Sequence, residues 1–223
     1  MGKQNKQDWE VRHREMWIQL FAEGLDKYTG ETTKAEVLNG QDQLSVKSTS
    51  DEVSEWIRGA MERLDALVED KETRRCVMLC CSNRFPVDRI KLLREEYDRT
   101  GDLDKLLDYM HRDDSWHGLS YYEYPERDGN VIYVTKIPYD PKGFDSTKEL
   151  AEKRASYCHC PHIRPAVRDQ KVISSTYCLC GSGWYKTLWE GLLNKPVHVE
   201  VLDTVARGAN ECRFAIHLPE KFD

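Results

Sequence analysis

Four of the chain's eight cysteines fall in two short motifs, Cys158-His159-Cys160-Pro161-His162 and Cys178-Leu179-Cys180-Gly181, with seventeen residues between Cys160 and Cys178. This C-x-C-x(17)-C-x-C spacing has the arithmetic of a two-knuckle tetrathiolate site, with one residue inside each pair instead of two. A tetrahedral zinc needs four soft donors at about 2.3 Å, so a fold that used these sulfurs together would have to bring both motifs into one small volume. On a regular strand, residues two apart share a face but stand roughly 7 Å from each other, too far for neighbouring sulfurs without a turn. Pro161 keeps Cys160 out of helical geometry, and Gly181, Ser182 and Gly183 predict a sharp bend after Cys180. Zinc takes sulfur and histidine ligands without redox demands, and an iron–sulfur cluster also accepts four thiolates. The same four residues also suit apolar core filling, or a thiol catalyst or redox pair.

The neighbours widen the choice. His159 and His162 suit a ligand role, or that of a base beside a thiolate of lowered pKa. Arg164 and Arg168 follow closely; cations there would favour ionised sulfur or hold a substrate carboxylate, or simply form a solvated face. Cys76, Cys80 and Cys81 make a second group within Arg75–Cys81. On a helix Cys76 and Cys80 share a face and Cys81 points about 100° away. They read as core cysteines, or as the source of one extra ligand or nucleophile, for which Cys80 is the candidate. Cys212 shares a strand face with Phe214 and Ile216 and reads as core. Tyr177, Trp184, Tyr185 and Trp189 suit either a core stripe or the wall of a small-molecule pocket. His198 and Glu200 oppose the valines of their strand and face a cavity or solvent.

Charge excludes one broad class. The net charge is -6, the pI about 5.7, and the densest basic stretch, Lys71 to Arg75, holds only three positive residues in five. Such a chain has no footprint for nucleic acid. No P-loop, G-x-G-x-x-G, G-x-S-x-G or H-E-x-x-H string occurs, so nucleotide binding, serine hydrolysis and zincin chemistry lack support. No apolar run approaches the roughly 20 residues that span a bilayer, and MGKQNKQDWE has no apolar signal core. A soluble, cytoplasmic protein with reduced thiols and no membrane partner is expected; its oligomeric state stays open.

Periodicity predicts helices over Trp9–Leu25, with Gly24 near the end, and over Val53–Val68, introduced by a Thr49/Glu52 capping box. Tyr28–Ser48 reads as a loop around a short element. Arg75–Cys81 reads as a buried helix, followed by one after Pro86 that ends at Thr100-Gly101, and by another over Leu103–Met110. Leu119–Tyr124 and Val131–Ile137 predict a hairpin. Ser146 and Glu149 predict a capped helix through Ala155. Val172–Leu179 reads as a strand, Trp184–Leu193 as a helix, and two antiparallel strands around Val197–Val201 and Cys212–Leu218 close the chain. The expected class is α+β, with N-terminal helices on a small antiparallel sheet and a C-terminal helix–hairpin. Residues 1–115 form the helical part and 116–223 the cysteine-rich α+β part of what is expected to be one cooperative domain.

The tail carries a family pattern: Tyr177-Cys178-Leu179-Cys180-Gly181-Ser182-Gly183-Trp184, a helix, Val197-His198-Val199-Glu200-Val201, then Gly208-Ala209-Asn210-Glu211-Cys212-Arg213-Phe214. Over the last third of this chain it resembles the C-terminal half of 4-vinyl-reductase-type small-molecule-binding domains, and also the related 2-aminothiazoline-4-carboxylate hydrolase-like proteins, and its C-H-C-P and C-L-C-G motifs are similar to those of a bacterial family with the same tail. The resemblance implies a zinc held by cysteines and a carboxylate beside a pocket for small ligands. Cys212 matches the final cysteine of that pattern, whereas Thr204 and Val201 stand where an earlier cysteine and the carboxylate belong. A metal here therefore falls to Cys158, Cys160, Cys178 and Cys180. The expected function is a zinc protein with a small-molecule pocket that includes Arg164, Tyr177, Trp184 and Glu200. The rival is a hydrolase opening a C–N bond by a thiolate or metal-bound water, with Cys80, His159 and His162 as its catalytic groups. A thiol redox or iron–sulfur protein is the third reading.

Overall fold

A computed structural model describes residues 3–219. It is α+β: helices dominate, and the strands among the described residues form one antiparallel sheet. The chain divides into two compact units, neither continuous in sequence. One takes Met1–Ser82, Pro138–Cys180 and Val205–Asn210; the other takes Asn83–Ile137, Gly181–Thr204 and Glu211–Asp223.

The first unit is helical. Helix α1 (Lys3–Thr29) is longer than its periodicity predicts and buries Arg14, Trp17, Ile18, Phe21 and Leu25 along one stripe. Gly24 does not end it. A Cβ at Gly24 would lie 2.7 Å from the carbonyl oxygen of Val77 and 3.1 Å from Cβ of Cys80, so glycine is what lets α4 (Lys71–Cys80) lie against α1. After α2 (Glu31–Val37) and a short 3-10 turn at Gln41–Gln43 comes α3 (Ser50–Leu67), introduced by the predicted capping box: Thr49 accepts from Glu52 N and the Glu52 carboxylate accepts from Thr49 N. Val53, Ile57, Ala60, Met61 and Leu64 form its buried face. Helix α4 starts separately, because the Asp70 carboxylate accepts from Glu72 N and Thr73 N.

The second unit holds α5 (Val87–Thr100), stopped by Gly101 at φ 61°, then α6 (Leu103–Arg112) and the sheet. Strands β1 (Glu126–Asp128), β2 (Val131–Thr135), β3 (His198–Asp203) and β4 (Arg213–His217) stand in the order β1-β2-β4-β3. The hairpin at Gly129-Asn130 is tighter and later than expected. Leu119–Tyr124 is not a strand. Ser120 Oγ donates to Met110 O and accepts from Tyr122 N and Tyr124 N, a local bonding pattern that displaces a strand ladder. Glu123 and Tyr124 consequently sit at φ 62° and 48°.

Three further helices return to the first unit: α7 (Pro141–Ser146), α8 (Leu150–Tyr157) and α9 (Arg164–Arg168). The Ser146/Glu149 capping box does not form. Asp140 caps α7 by accepting from Gly143 N, and Ser146 donates back to Gly143 O.

The largest departure is α10 (Ser175–Leu193). It replaces the predicted strand and runs unbroken through Gly181-Ser182-Gly183, so no bend follows Cys180. Its start is held by the Asp65 carboxylate, which accepts from the hydroxyls of Ser174 and Thr176. Gly181 has a packing role: a Cβ there would touch the ring of Phe214 at 3.4 Å.

The Gly24 contact makes a sharp test. Gly24→Ala removes a residue that disfavours helix but forces α1 away from the Val77 carbonyl, and overpacking of this kind costs about 1 to 3 kcal/mol. Urea unfolding should show a lower midpoint with an unchanged slope. A stabilised variant would mean that the helices separate at no cost.

Candidate functional site

The thiols gather around Tyr177 in the first unit. In α10, Tyr177 and Cys180 are three apart and share a face; both are buried. The thiols of Cys160 and Cys180 lie within hydrogen-bonding reach, and Cys81 is also within electrostatic range of Cys180. Tyr177 feels Cys160, Cys180, Cys158 and Cys81. Cys158 is buried and its Sγ donates to Cys160 O at 3.8 Å, which folds the C-x-C motif on itself.

Because α10 is a helix, Cys178 and Cys180 point about 200° apart around its axis, not to one face as a strand would place them. Cys178 is half-buried and contributes least among the thiols that Cys180 feels. Cys81, the residue that ends α4, approaches in its place. Its Sγ donates to Met78 O at 3.1 Å. Cys80 points elsewhere, its Sγ donating to Cys76 O at 3.5 Å, with Lys27 within electrostatic range.

Burial sets the protonation of this group. Desolvation pushes the Tyr177 hydroxyl far up, and the surrounding thiols add to the effect. The Cys180 thiol is pushed well above its ordinary value by its hydrogen bond with Cys160 and then by burial. Burial likewise raises Cys81 strongly, and raises Cys80 against the pull of Lys27. No group of three or more His, Cys, Asp or Glu side chains among the described residues is already arranged to hold a metal ion. The donor chemistry suits a soft metal, and the last approach would have to accompany binding, as coupled folding and metal binding allow.

An aromatic ladder from α1 walls the group. Trp9 stacks on His13 with centroids 4.9 Å apart, His13 meets His162 at 5.0 Å, and Trp17 meets Tyr177 at 5.5 Å. His13 Nδ1 and His162 Nε2 lie 2.9 Å apart and are joined by a hydrogen bond. Burial, then His13 and two arginines, lower the His162 pKa to about 4, so its imidazole is neutral at physiological pH. The indole N–H of Trp17 is buried with no hydrogen-bond acceptor among the described residues.

His162 also borders a cavity of about 560 Å³ whose charged lining is Arg14, Lys47, Arg164 and Arg168 against Glu10. Arg164 ties this cavity to the thiol loop. Its Nε donates to Cys158 O at 2.7 Å, a terminal nitrogen donates to His159 O at 3.5 Å, and its guanidinium lies 3.9 Å from the Tyr139 ring centre.

Of the expected ligand-binding residues, Arg164 alone borders this cavity. Tyr177 is buried among the thiols. His159 packs edge-on to Tyr139 at 5.7 Å. Trp184 and Glu200 belong to the second unit, where Trp184 meets Phe85 at 4.7 Å and Glu200 accepts from His217 at 3.3 Å on an exposed face. That unit also holds a buried carboxylate absent from the sequence reading. Glu123 accepts from the Tyr185 hydroxyl, Lys136 Nζ lies 3.7 Å from it, and burial raises its pKa.

No family model matches the chain, and no curated protein or solved structure matches it either.

His162 generates a pH prediction. Its folded pKa, about 4, lies below the ordinary 6.5, so the unfolded chain takes up the proton first. The contribution is present above pH 6.5 and is lost as pH falls toward about 4. His162→Gln, which keeps a polar partner for His13, should flatten that loss in urea unfolding across the window. An unchanged acid slope would count against the buried neutral imidazole.

Proposed function

We propose that the chain is a cytoplasmic zinc-binding protein whose cysteine-ligated metal braces a small-molecule pocket. The observation that carries this reading is the gathering of the Cys158, Cys160, Cys180 and Cys81 thiols around Tyr177; Cys81 would serve as the fourth donor in preference to Cys178. Zinc would supply a positive charge that ionises these thiols and a fixed centre joining the Cys158–His162 loop to α4 and α10. The neutral His162, set between this group and the cavity, could donate or accept a hydrogen bond without carrying charge into the interior. Support for the 4-vinyl-reductase-type reading remains the tail motif itself.

Contact between Cys160 and Cys180 favours a second reading, a dithiol couple. Its oxidation would form one S–S bond, releasing two protons and passing two electrons to an external disulfide such as oxidised glutathione. The raised Cys180 pKa makes that thiol a slow attacker, which is why the metal reading leads.

Protein purified without oxygen should carry near-stoichiometric zinc and no visible absorption. Changing Cys81, Cys158, Cys160 or Cys180 singly to Ser should lower zinc affinity at least about tenfold, the scale on which even outer-shell ligand partners act. Cys76→Ser should leave it unchanged. Equal losses in Cys178→Ser and none in Cys81→Ser would restore Cys178 as the fourth ligand. A brown protein would mean an iron–sulfur cluster, and a metal-free protein that forms a Cys160–Cys180 disulfide with oxidised glutathione would establish the second reading.

A further inference from the structure

The cavity beside His162 has a charge imbalance that the zinc reading does not use. Arg14 sits on the buried stripe of α1, only 7% exposed. Its guanidinium donates to the carbonyls of Ser45 at 2.8 Å and Ser48 at 3.5 Å, and no ion pair to it occurs among the described residues. Two carbonyls occupy part of a five-donor fork and neutralise none of its charge. Arg14, Arg168 and Lys47 border one cavity, together with the start of α3 at Thr49 and Ser50. The end of an 18-residue helix favours negative charge at that wall. Arg168 is partly engaged by Glu152 at 3.3 Å, and among the described residues Glu10 is the sole carboxylate on the lining. Val11, Val53 and Pro165 supply an apolar side, and the volume, about 560 Å³, suits a small organic molecule.

We propose that this cavity binds a small organic anion through a carboxylate or phosphate group, held by Arg14 at its buried end and by Arg168 and Lys47 at its mouth. The proposal rests on the pocket in the reading above and names its ligand class. Surface lysines alone would give weak, diffuse attraction. A guanidinium buried without a counter-ion among the described residues instead demands one, and an oxyanion is the partner that matches its fork.

Calorimetric titration of the full chain at low ionic strength tests this, with succinate and inorganic phosphate as probes and 1,4-butanediol as the uncharged counterpart of succinate. Saturable one-to-one binding of at least one anion is expected, weakened by added salt, with none for the diol. Arg168→Gln, which leaves the buried wall intact, should weaken binding at least about tenfold, the loss expected for a charge-assisted contact. Arg14→Gln should weaken it further, its circular dichroism melt showing whether the unit still folds. No saturable anion binding, equal binding of the diol, or wild-type affinity in Arg168→Gln would overturn the proposal. Zinc content of the same samples separates the two readings: zinc without anion binding sinks this inference alone, and anion binding without zinc sinks the metal reading alone.

Discussion

Desolvation holds the interior around Tyr177 in its uncharged forms, and most of the chemistry open to this chain follows from that. The phenol and the thiols of Cys81 and Cys180 are pushed up while the imidazole of His162 is pushed down. Each shift has burial among its causes, and each leaves a neutral group at physiological pH. A nucleophile in that position would have to ionise against its surroundings. A cation arriving among the thiols would reverse the balance, because it stabilises the charge that the protein alone disfavours.

Arg14 breaks this pattern, since a guanidinium cannot discharge itself. It turns part of its fork to the carbonyls of Ser45 and Ser48, and so fastens the segment before α3 to α1. One side chain thereby forms the end of a cavity and fixes the entry to the helix on its rim. Packing and ligand chemistry are hard to separate at such a residue. The exposed Arg168 is the cleaner probe for that reason.

Much of the fold was legible wherever local chemistry and burial agree. The Thr49/Glu52 box, the apolar stripe of α3, the Gly101 stop and the closing strands all express short-range rules that tertiary packing leaves alone. Failures came where a residue served a neighbour distant in sequence. Gly24 reads as a helix end, yet its missing side chain makes room for Val77 and Cys80. Gly181-Ser182-Gly183 reads as a bend, yet Gly181 makes room for Phe214. The expected strand over Val172–Leu179 with a bend after Cys180 became one continuous helix, on which Cys178 and Cys180 point to opposite sides. The spacing of the two cysteine motifs raised their convergence only as an expectation, whereas the approach of Cys81 depended on how α4 packs. Arg14 did leave a signal: it lies three, four and seven residues before Trp17, Ile18 and Phe21, a charge on an otherwise apolar stripe. Glu123 left none, because its burial follows from a loop conformation set by Ser120.

Arg164 has a consequence of a different kind. Its nitrogens hold the carbonyls of Cys158 and His159 while its side chain forms part of the cavity wall. A ligand that drew that guanidinium toward the cavity would loosen its grip on the thiol loop, and a tighter loop would restrain the guanidinium. Thermodynamic linkage would then make the two effects equal in free energy and mutual in direction.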